Sequence, residues 1–166
     1  MSHSLEPVVQ NVVSYAQIVI NSELNLKLIA SRVEGSRYNR KRFPAVILRK
    51  TKPKSTILIF KSGKMIIIGS ESEHEAEIAA NKSVKDIRKL LTNPKISMTG
   101  FRVTNIVANA DLGWDIDIGK ISEDMVGIKD DNFPGVVYKM NEPVKAVLLF
   151  SSGKVVFTGA KNRDSI

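Results

Sequence analysis

Apolar residues fill two similar segments of the chain, which read ILIFKSGKMIIIG at 57–69 and VLLFSSGKVVFTG at 147–159. Each segment is typical of two strands joined by a Ser-Gly turn, and successive side chains of a strand point to opposite faces of the sheet. In the first segment, one face is predicted to receive Ile57, Ile59, Met65 and Ile67. The other is predicted to receive Leu58, Phe60, Ile66 and Ile68. Both faces are therefore apolar, and both are expected to contact something other than water.

The rest of the first half of the chain predicts more strands and two helices. The other strands are expected at 8–20, 43–50 and 55–60. A short helix is predicted over 24–35, because apolar residues recur there at helical spacing and Gly35 provides an end. A longer helix is predicted over 72–91, where Ser72 and Glu75 form a capping box. Its apolar stripe comprises Ala80, Val84, Ile87 and Leu91.

The chain contains an internal repeat. An offset of 90 aligns 39–69 with 129–159, and ten of these 31 positions are identical, among them the Phe-Pro pair and the Ser-Gly-Lys turn. QNVV at 10–13 matches TNIV at 104–107, so each repeat is expected to begin with a similar strand and a short helical stretch. We predict a tail at 1–7, a first repeat at 8–95 and a shorter second repeat at 96–166. The join at 90–97 is too short for a flexible linker, which predicts rigid fusion.

Charge narrows the class of partner. The net charge is +8, and between Gly35 and Ser70 there are ten basic residues and no acidic one. Such a segment favours a polyanion, either nucleic acid or an anionic membrane. The sequence has no cysteine, no signal-like start and no apolar run of about 20 residues. It therefore predicts a soluble intracellular protein without thiolate chemistry and without a membrane span.

The second apolar face of the predicted sheet has two possible explanations. It could pack against the other repeat as the core of a sandwich. Alternatively, it could bind a ligand, because Ser-Gly-Lys turns border it in both repeats and Asn11 and Asn105 recur on it. An apolar surface with a few amides and a basic rim suits a DNA minor groove, which offers sugars, hydrogen-bond acceptors and flanking phosphates.

These residues resemble one family. RFPAVILRK, STILIFKSGKMIIIG, NFPGVVYKM and AVLLFSSGKVVFTG, together with QNVV and TNIV, are similar to the core of the TATA-box-binding proteins over about residues 8–163. The resemblance implies an α+β fold. In it, two repeats form a pseudo-twofold saddle with one curved antiparallel sheet and helices on the convex face. It also implies minor-groove binding with inserted side chains that kink the DNA.

The resemblance assigns roles to residues at matching positions. Two ring pairs are expected to open base steps: Phe43 with Phe60, and Phe133 with Phe150. Base contacts are expected from Asn11 and Asn105. The apolar contact surface comprises Val13, Leu58, Ile66, Val107, Leu148 and Val156, with Ile68 and Thr158 beside it. Phosphate contacts are expected from Arg49, Ser62, Lys64, Lys139, Ser152 and Lys154.

The implied function is that of a nuclear general transcription initiation factor that binds and bends A/T-rich DNA and nucleates pre-initiation complexes. Expected partners are duplex DNA, general transcription factors A and B, and associated factors and regulators. Protein contacts are expected at Lys82, Lys85, Arg88, Lys89, Asp130 and Asp131. The repeated face shows no nucleophile–base pair and no carboxylate cluster, so neither an enzyme nor a cofactor is expected.

Two alternatives and two departures from the family qualify this reading. The chain could be a paralogue with relaxed sequence preference, or a protein-interaction module that uses the same face. The segment before the second Phe-Pro, GIKDDNFPG, keeps acids but little else of the factor B contact. The sequence ends at AKNRDSI, where the family continues with a second long helix, so an uncovered sheet face is expected, with either reduced stability or self-association.

The repeats also differ at two informative positions. The second repeat has Thr158 and Lys161, as the family pattern does, whereas the first has Ile68 and Glu71. Isoleucine lacks the hydroxyl that could bond a base, and glutamate repels phosphate. We therefore expect the first repeat to read its half-site less strictly.

Overall fold

The computed structural model describes residues 5–92, 95–121, 127–129 (backbone only) and 133–166. Contacts within the chain group into two units. One unit comprises residues 11–104, and the other comprises residues 1–10 with 105–166. The predicted repeat boundaries, 8–95 and 96–166, stay a prediction.

The unit of residues 11–104 contains five antiparallel strands, the first part of a sixth strand and two helices. In chain order its elements are β1 (Val8–Val19), α1 (Leu26–Arg32), β2 (Ser36–Arg37), β3 (Ala45–Thr51), β4 (Lys54–Phe60), β5 (Lys64–Ser70) and α2 (Glu73–Arg88). The strand order is β2-β3-β4-β5-β1. The predicted strands and both predicted helices are present, with shorter helix ends than the sequence suggested.

Both helices are capped at their N-terminus by a side-chain oxygen that accepts a backbone hydrogen bond. Asn25 accepts a hydrogen bond from the Leu28 N–H at 3.0 Å, and Ser72 accepts one from the Glu75 N–H at 3.1 Å. The predicted capping box is half correct, because the Glu75 carboxylate accepts from the Glu71 N–H at 3.3 Å rather than from Ser72.

The helices cover one face of this sheet. Ile57, Ile59, Met65 and Ile67 are fully buried with α2 residues such as Ala76, Ala79 and Ala80. Leu58, Phe60, Ile66 and Ile68 are half-buried. The predicted alternation is confirmed, and half-burial is not what the sandwich-core alternative predicts for the second face.

The strands of the other unit are also antiparallel. They are the second part of β6 (Ser97–Asp111), whose residues 97–104 lie in the unit of residues 11–104, together with β7 (Gly127–Lys129), β8 (Gly135–Lys139), β9 (Ala146–Phe150) and β10 (Lys154–Ala160), in the order β6-β10-β9-β8-β7. Val136 and Val155 are buried, while Leu149 and Phe157 are half-buried. These strands are thus less covered than those of the unit of residues 11–104.

The short helical stretch expected near the start of the second repeat is present in the described residues, as 3-10 helix rather than α-helix. Ile118–Lys120 forms a single turn of 3-10 helix. Asp117 accepts a hydrogen bond from the Gly119 N–H at 3.1 Å, and the Lys120 N–H bonds to the Asp117 carbonyl at 3.0 Å. Across the described part of the chain, no helix has the length and apolar character that crossing a bilayer requires.

Candidate nucleic-acid interface

In the unit of residues 11–104, the half-buried face is organised as rows that cross the strands. Strand register places Leu58 opposite Ile47 on one side and Ile66 on the other, and Ile66 lies opposite Tyr15. A second row runs from Arg49 through Thr56 to Ile68. The first row is mainly apolar, whereas the second has Thr56 in its middle and ends in an exposed cation, Arg49.

The other unit repeats this arrangement with different residues. Leu148 lies opposite Val137 and Val156, and Val156 lies opposite Asn109. The second row runs from Lys139 through Ala146 to Thr158 and Val107. The apolar and basic positions predicted from the sequence therefore lie together on one face within each unit. Their roles in binding stay a prediction.

The predicted aromatic pairs are in contact in both units. The ring centroids of Phe43 and Phe60 are 6.0 Å apart with an interplanar angle of 61°, and those of Phe133 and Phe150 are 5.6 Å apart at 57°. Such edge-to-face geometry is favourable for aromatic rings. Phe43 keeps 37% of its surface exposed, which is unusual for so large an apolar ring. Each unit thus holds an accessible aromatic pair, and Phe60 and Phe150 of these pairs are the last residues of β4 and β9.

Space for the second pair depends on Gly135. A Cβ atom built there would lie 3.0 Å from Phe133 Cε1 and 3.3 Å from Phe150 Cδ1. The corresponding residue of the first unit is Ala45, which lies opposite Phe60. The glycine therefore allows the second ring pair to approach its strand more closely.

The two asparagines are held in the same way. Asn11 Oδ1 accepts a hydrogen bond from the Gly69 N–H at 2.7 Å, and Asn105 Oδ1 accepts one from the Gly159 N–H at 2.7 Å. Both side chains are half-buried. The recurrence of Asn in the sequence thus reflects one geometry that occurs twice.

The cations and hydroxyls predicted to contact phosphate are exposed. Lys64 and Lys154 begin β5 and β10, and Ser62 and Ser152 lie in the preceding turns. Lys64 Nζ also lies 5.5 Å from the Phe60 ring centroid. A positive charge therefore lies beside the aromatic pair in the first unit.

Sequence reasoning missed several residues of the same faces. Tyr15 and Ile47 continue the alternation that predicted Val13 and Leu58, and that alternation was the available signal. Arg102 carried no signal, because it contacts Tyr15 from a strand 87 residues further along the chain. Its guanidinium carbon lies 4.0 Å from the Tyr15 ring centroid, which is a cation–π contact. The first unit therefore holds an exposed cation beside Tyr15 of its half-buried face.

The residues predicted to contact other proteins are in part placed by the structure, and their role stays a prediction. Lys82, Lys85, Arg88 and Lys89 are exposed on or next to α2. Three of them also bond within the chain: Lys82 Nζ donates to the Lys52 carbonyl at 2.8 Å, Arg88 Nη2 donates to the Ile96 carbonyl at 2.8 Å, and Lys89 pairs with Asp86 at 3.7 Å. Asp130 and Asp131 lie outside the described residues.

These faces suit a ligand that is apolar in its middle and anionic at its margins. Within the described part of the chain, no three His, Cys, Asp or Glu side chains are grouped as metal ligands are. Fold and interface define a repeated α+β protein with an open apolar strand face in each unit. Such a face is suited to binding, and similarity to known proteins shows to which family the chain belongs.

The chain matches the profile of the family described as transcription factor TFIID, or TATA-binding protein (TBP), over residues 6–90 and 100–166. It is 40% identical to the TATA-box-binding protein of Schizosaccharomyces pombe over 163 residues, which covers 96% of this chain and 69% of that protein. It is 40% identical to that of Dictyostelium discoideum, with coverage of 96% and 78%. It is 35% identical to TATA-box-binding protein-like 1 of Entamoeba histolytica, with coverage of 97% and 74%.

A solved structure of Methanococcus jannaschii TBP matches with a TM-score of 0.80 at 34% identity, covering 96% of this chain and 91% of that chain. The chain belongs to the TATA-binding protein family, which is a family of transcription factors and not of enzymes. The predicted resemblance and α+β fold class are confirmed. The chain spans 69% of the length of the S. pombe protein, 78% of the D. discoideum protein and 74% of the E. histolytica protein.

Proposed function

We propose that this protein binds A/T-rich duplex DNA through the minor groove, bends it, and nucleates pre-initiation complexes as a general transcription initiation factor. The observation that carries the proposal is the repetition of one surface in both units. Apolar rows cross the strands, a cation ends one row, and an aromatic pair lies at the end of the face. A protein that reads an approximately two-fold symmetric duplex benefits from such repetition.

The chemistry of the face agrees with the minor groove. Aliphatic side chains such as Leu58, Ile66 and Leu148 provide contact with deoxyribose, while the asparagine amides can donate to base edges. The aromatic pairs can replace a stacking partner at an opened base step without needing hydrogen bonds. Exposed cations at the margins can neutralise phosphates.

Salt dependence supplies a first test. Four phosphate contacts, from Arg49, Lys64, Lys139 and Lys154, predict a slope of log K against log salt of about −3.6. Affinity for a TATA-containing duplex is then expected to fall roughly 150-fold between 50 and 200 mM salt. Measurement by fluorescence anisotropy, with bending followed by energy transfer between labelled duplex ends, checks both halves of the proposal.

A matched pair of variants sharpens this test. Arg49→Ala is expected to reduce the slope by about 0.9. Lys27→Ala removes an exposed lysine from α1, on the helix-covered side, and is expected to leave the slope unchanged. Equal slopes for both variants, or no duplex binding by the wild type, contradict the proposal.

The proposal includes a nuclear location, no catalytic activity and no cofactor. Partners are proposed to be general transcription factors A and B and associated factors and regulators. Lys85 and its neighbours on α2 offer a basic surface for such contacts. Asp130 and Asp131 are proposed for factor B.

A paralogue with relaxed sequence preference is a second candidate. The similarity to an Entamoeba protein named TATA-box-binding protein-like 1 favours it. The face of the first unit favours it too. There, Ile68 offers no hydroxyl to a base, and Arg102 adds a cation that can contact a phosphate whatever the base sequence is. Equal affinity for TATA and scrambled duplexes, with retained bending, identifies this alternative. Salt-insensitive binding of a protein partner, with no duplex binding, identifies an interaction module.

A further inference from the structure

The hydrogen bonds of the two asparagines involve an unusual pair of glycines. Gly69 and Gly159 have φ angles of +85° and +93°, in the left-handed region that favours glycine. Strand register shifts at both places, between Val12 and Ser14 in the β1–β5 pair and between Thr158 and Ala160 in the β10–β6 pair. Each glycine is thus the extra residue of a β-bulge. Its N–H leaves the ladder and bonds the asparagine side chain instead.

This bond fixes which end of the amide faces outward. A carboxamide carries an acceptor oxygen and a donor NH₂ group, and rotation by half a turn exchanges them. In the rotated amide, the NH₂ of Asn11 would meet the Gly69 N–H, so that two donors face each other at 2.7 Å. The observed orientation is therefore the stable one. The asparagine therefore presents its NH₂ donors outward and directs its oxygen toward the glycine N–H.

We propose that Gly69 and Gly159 determine base-pair specificity by locking Asn11 and Asn105 as donors. This inference rests on the proposed function, namely minor-groove binding. In the minor groove, A·T pairs offer only acceptors, whereas G·C pairs add the guanine amino donor. A freely rotating amide can accept from that amino group. An amide held by the glycine N–H cannot rotate to accept from it. At a G·C pair, the asparagine NH₂ and the guanine amino group therefore face each other as two donors.

The lock predicts discrimination of about 10- to 100-fold at the base pair that each asparagine faces. The glycines act through the asparagines, so they are positioning residues. A purely structural role for the same bonds predicts changes in folding stability only. The two roles differ in the ratio of affinities for duplexes that differ by one amino group.

The sharpest test removes only the glycine donor. Incorporation of glycolic acid at position 69 replaces the N–H by an ester oxygen and leaves every side chain in place. The probes are TATA duplexes in which each base pair in turn is replaced by G·C or by inosine·C. The two replacements differ in one group, because inosine lacks the guanine amino group. Wild-type protein is expected to reject G·C by about 10- to 100-fold relative to inosine·C at the position that Asn11 reads. The ester is expected to reduce that ratio to about threefold or less.

The same ester at Gly63 serves as the matched control. The Gly63 N–H donates to the Phe60 carbonyl at 2.9 Å in the turn, so its loss weakens the same sheet without touching Asn11. This control is expected to keep the wild-type ratio. Equal ratios for the wild type and both esters overturn the inference and leave the proposed function intact. A wild-type protein that binds no duplex overturns both.

A second variant keeps the inference testable if the ester protein does not fold. Asn11→Asp still accepts from the Gly69 N–H but presents an acceptor outward. Its negative charge lowers affinity for every duplex, so the ratio is the relevant measure. G·C is expected to bind at least as well as inosine·C, and the Gly69 amide proton stays protected from hydrogen exchange, as it does not in Asn11→Ala. A protected amide with the wild-type preference contradicts the inference.

Discussion

Removal of one aromatic pair tests the proposed bending mechanism most directly. Phe43 and Phe60 contact each other edge to face at 6.0 Å, and Phe43 is 37% exposed. If the pair fills an opened base step, the double substitution Phe43→Ala with Phe60→Ala leaves the cost of unstacking without compensation. That cost is a few kcal/mol per step. A loss of about 2–3 kcal/mol corresponds to an affinity reduced roughly 30- to 140-fold.

The assay measures equilibrium binding and the bend angle together, with energy transfer between the labelled ends of a TATA duplex. Phe43→Leu with Phe60→Leu keeps apolar side chains but removes the flat rings, and it is expected to lose part of the bend. Phe101→Leu alters a ring that packs against the helix-covered core. It therefore controls for stability and is expected to bend DNA normally.

The second pair provides an internal comparison. Phe133 and Phe150 are 5.6 Å apart, so their double alanine variant is expected to reduce the bend by a similar amount. The reasoning is refuted if the Phe43 and Phe60 double alanine variant folds, bends the duplex by the wild-type angle, and binds within threefold of the wild-type Kd.

Three further predictions concern the first unit. Gly63→Ala and Gly69→Ala both introduce a side chain at φ near +85°. The new Cβ lies 2.3 Å from a backbone oxygen at Gly63 and meets nothing at Gly69. In urea denaturation, the free energy of unfolding is therefore expected to fall by about 1–2 kcal/mol for Gly69→Ala and by clearly more for Gly63→Ala. Ile68→Thr is expected to increase discrimination against mismatched base pairs in one half-site by up to about tenfold. Glu71→Lys is expected to raise affinity for all duplexes at low salt. Unchanged mismatch ratios for Ile68→Thr contradict the first of these expectations. The paralogue alternative makes Arg102 a fifth phosphate contact, so it predicts that Arg102→Ala reduces the slope of log K against log salt by about 0.9; an unchanged slope excludes that contact.

Local rules were sufficient for much of the first unit. The alternation of Ile57 and Leu58 between buried and half-buried faces follows from strand geometry alone. Ser72 begins α2 because its side chain can satisfy a free backbone N–H, which any sequence context allows. The repetition of Phe-Pro and Ser-Gly-Lys then indicated two equivalent units. These features depend on neighbours a few residues away, and the sequence displays those neighbours directly.

Analogy between the repeats was less reliable. The helix that follows β1 has Leu26 and Ile29 buried in its core. In the second repeat, the matching segment instead closes a 3-10 turn around Asp117, where side-chain hydrogen bonding competes with a helix. Similar strands therefore did not imply a similar connection, because connections are where repeats diverge.

The details of the interface were decided by tertiary structure. Register between strands placed Leu58 between Ile47 and Ile66, and the bulges brought the Gly69 N–H to Asn11, 58 residues away. The contact of Arg102 with Tyr15 has the same origin. Sequence alone determined which residues face one side of a strand. Which of them touch, and which end of an amide faces outward, depends on pairing between distant strands, and no local pattern encodes it.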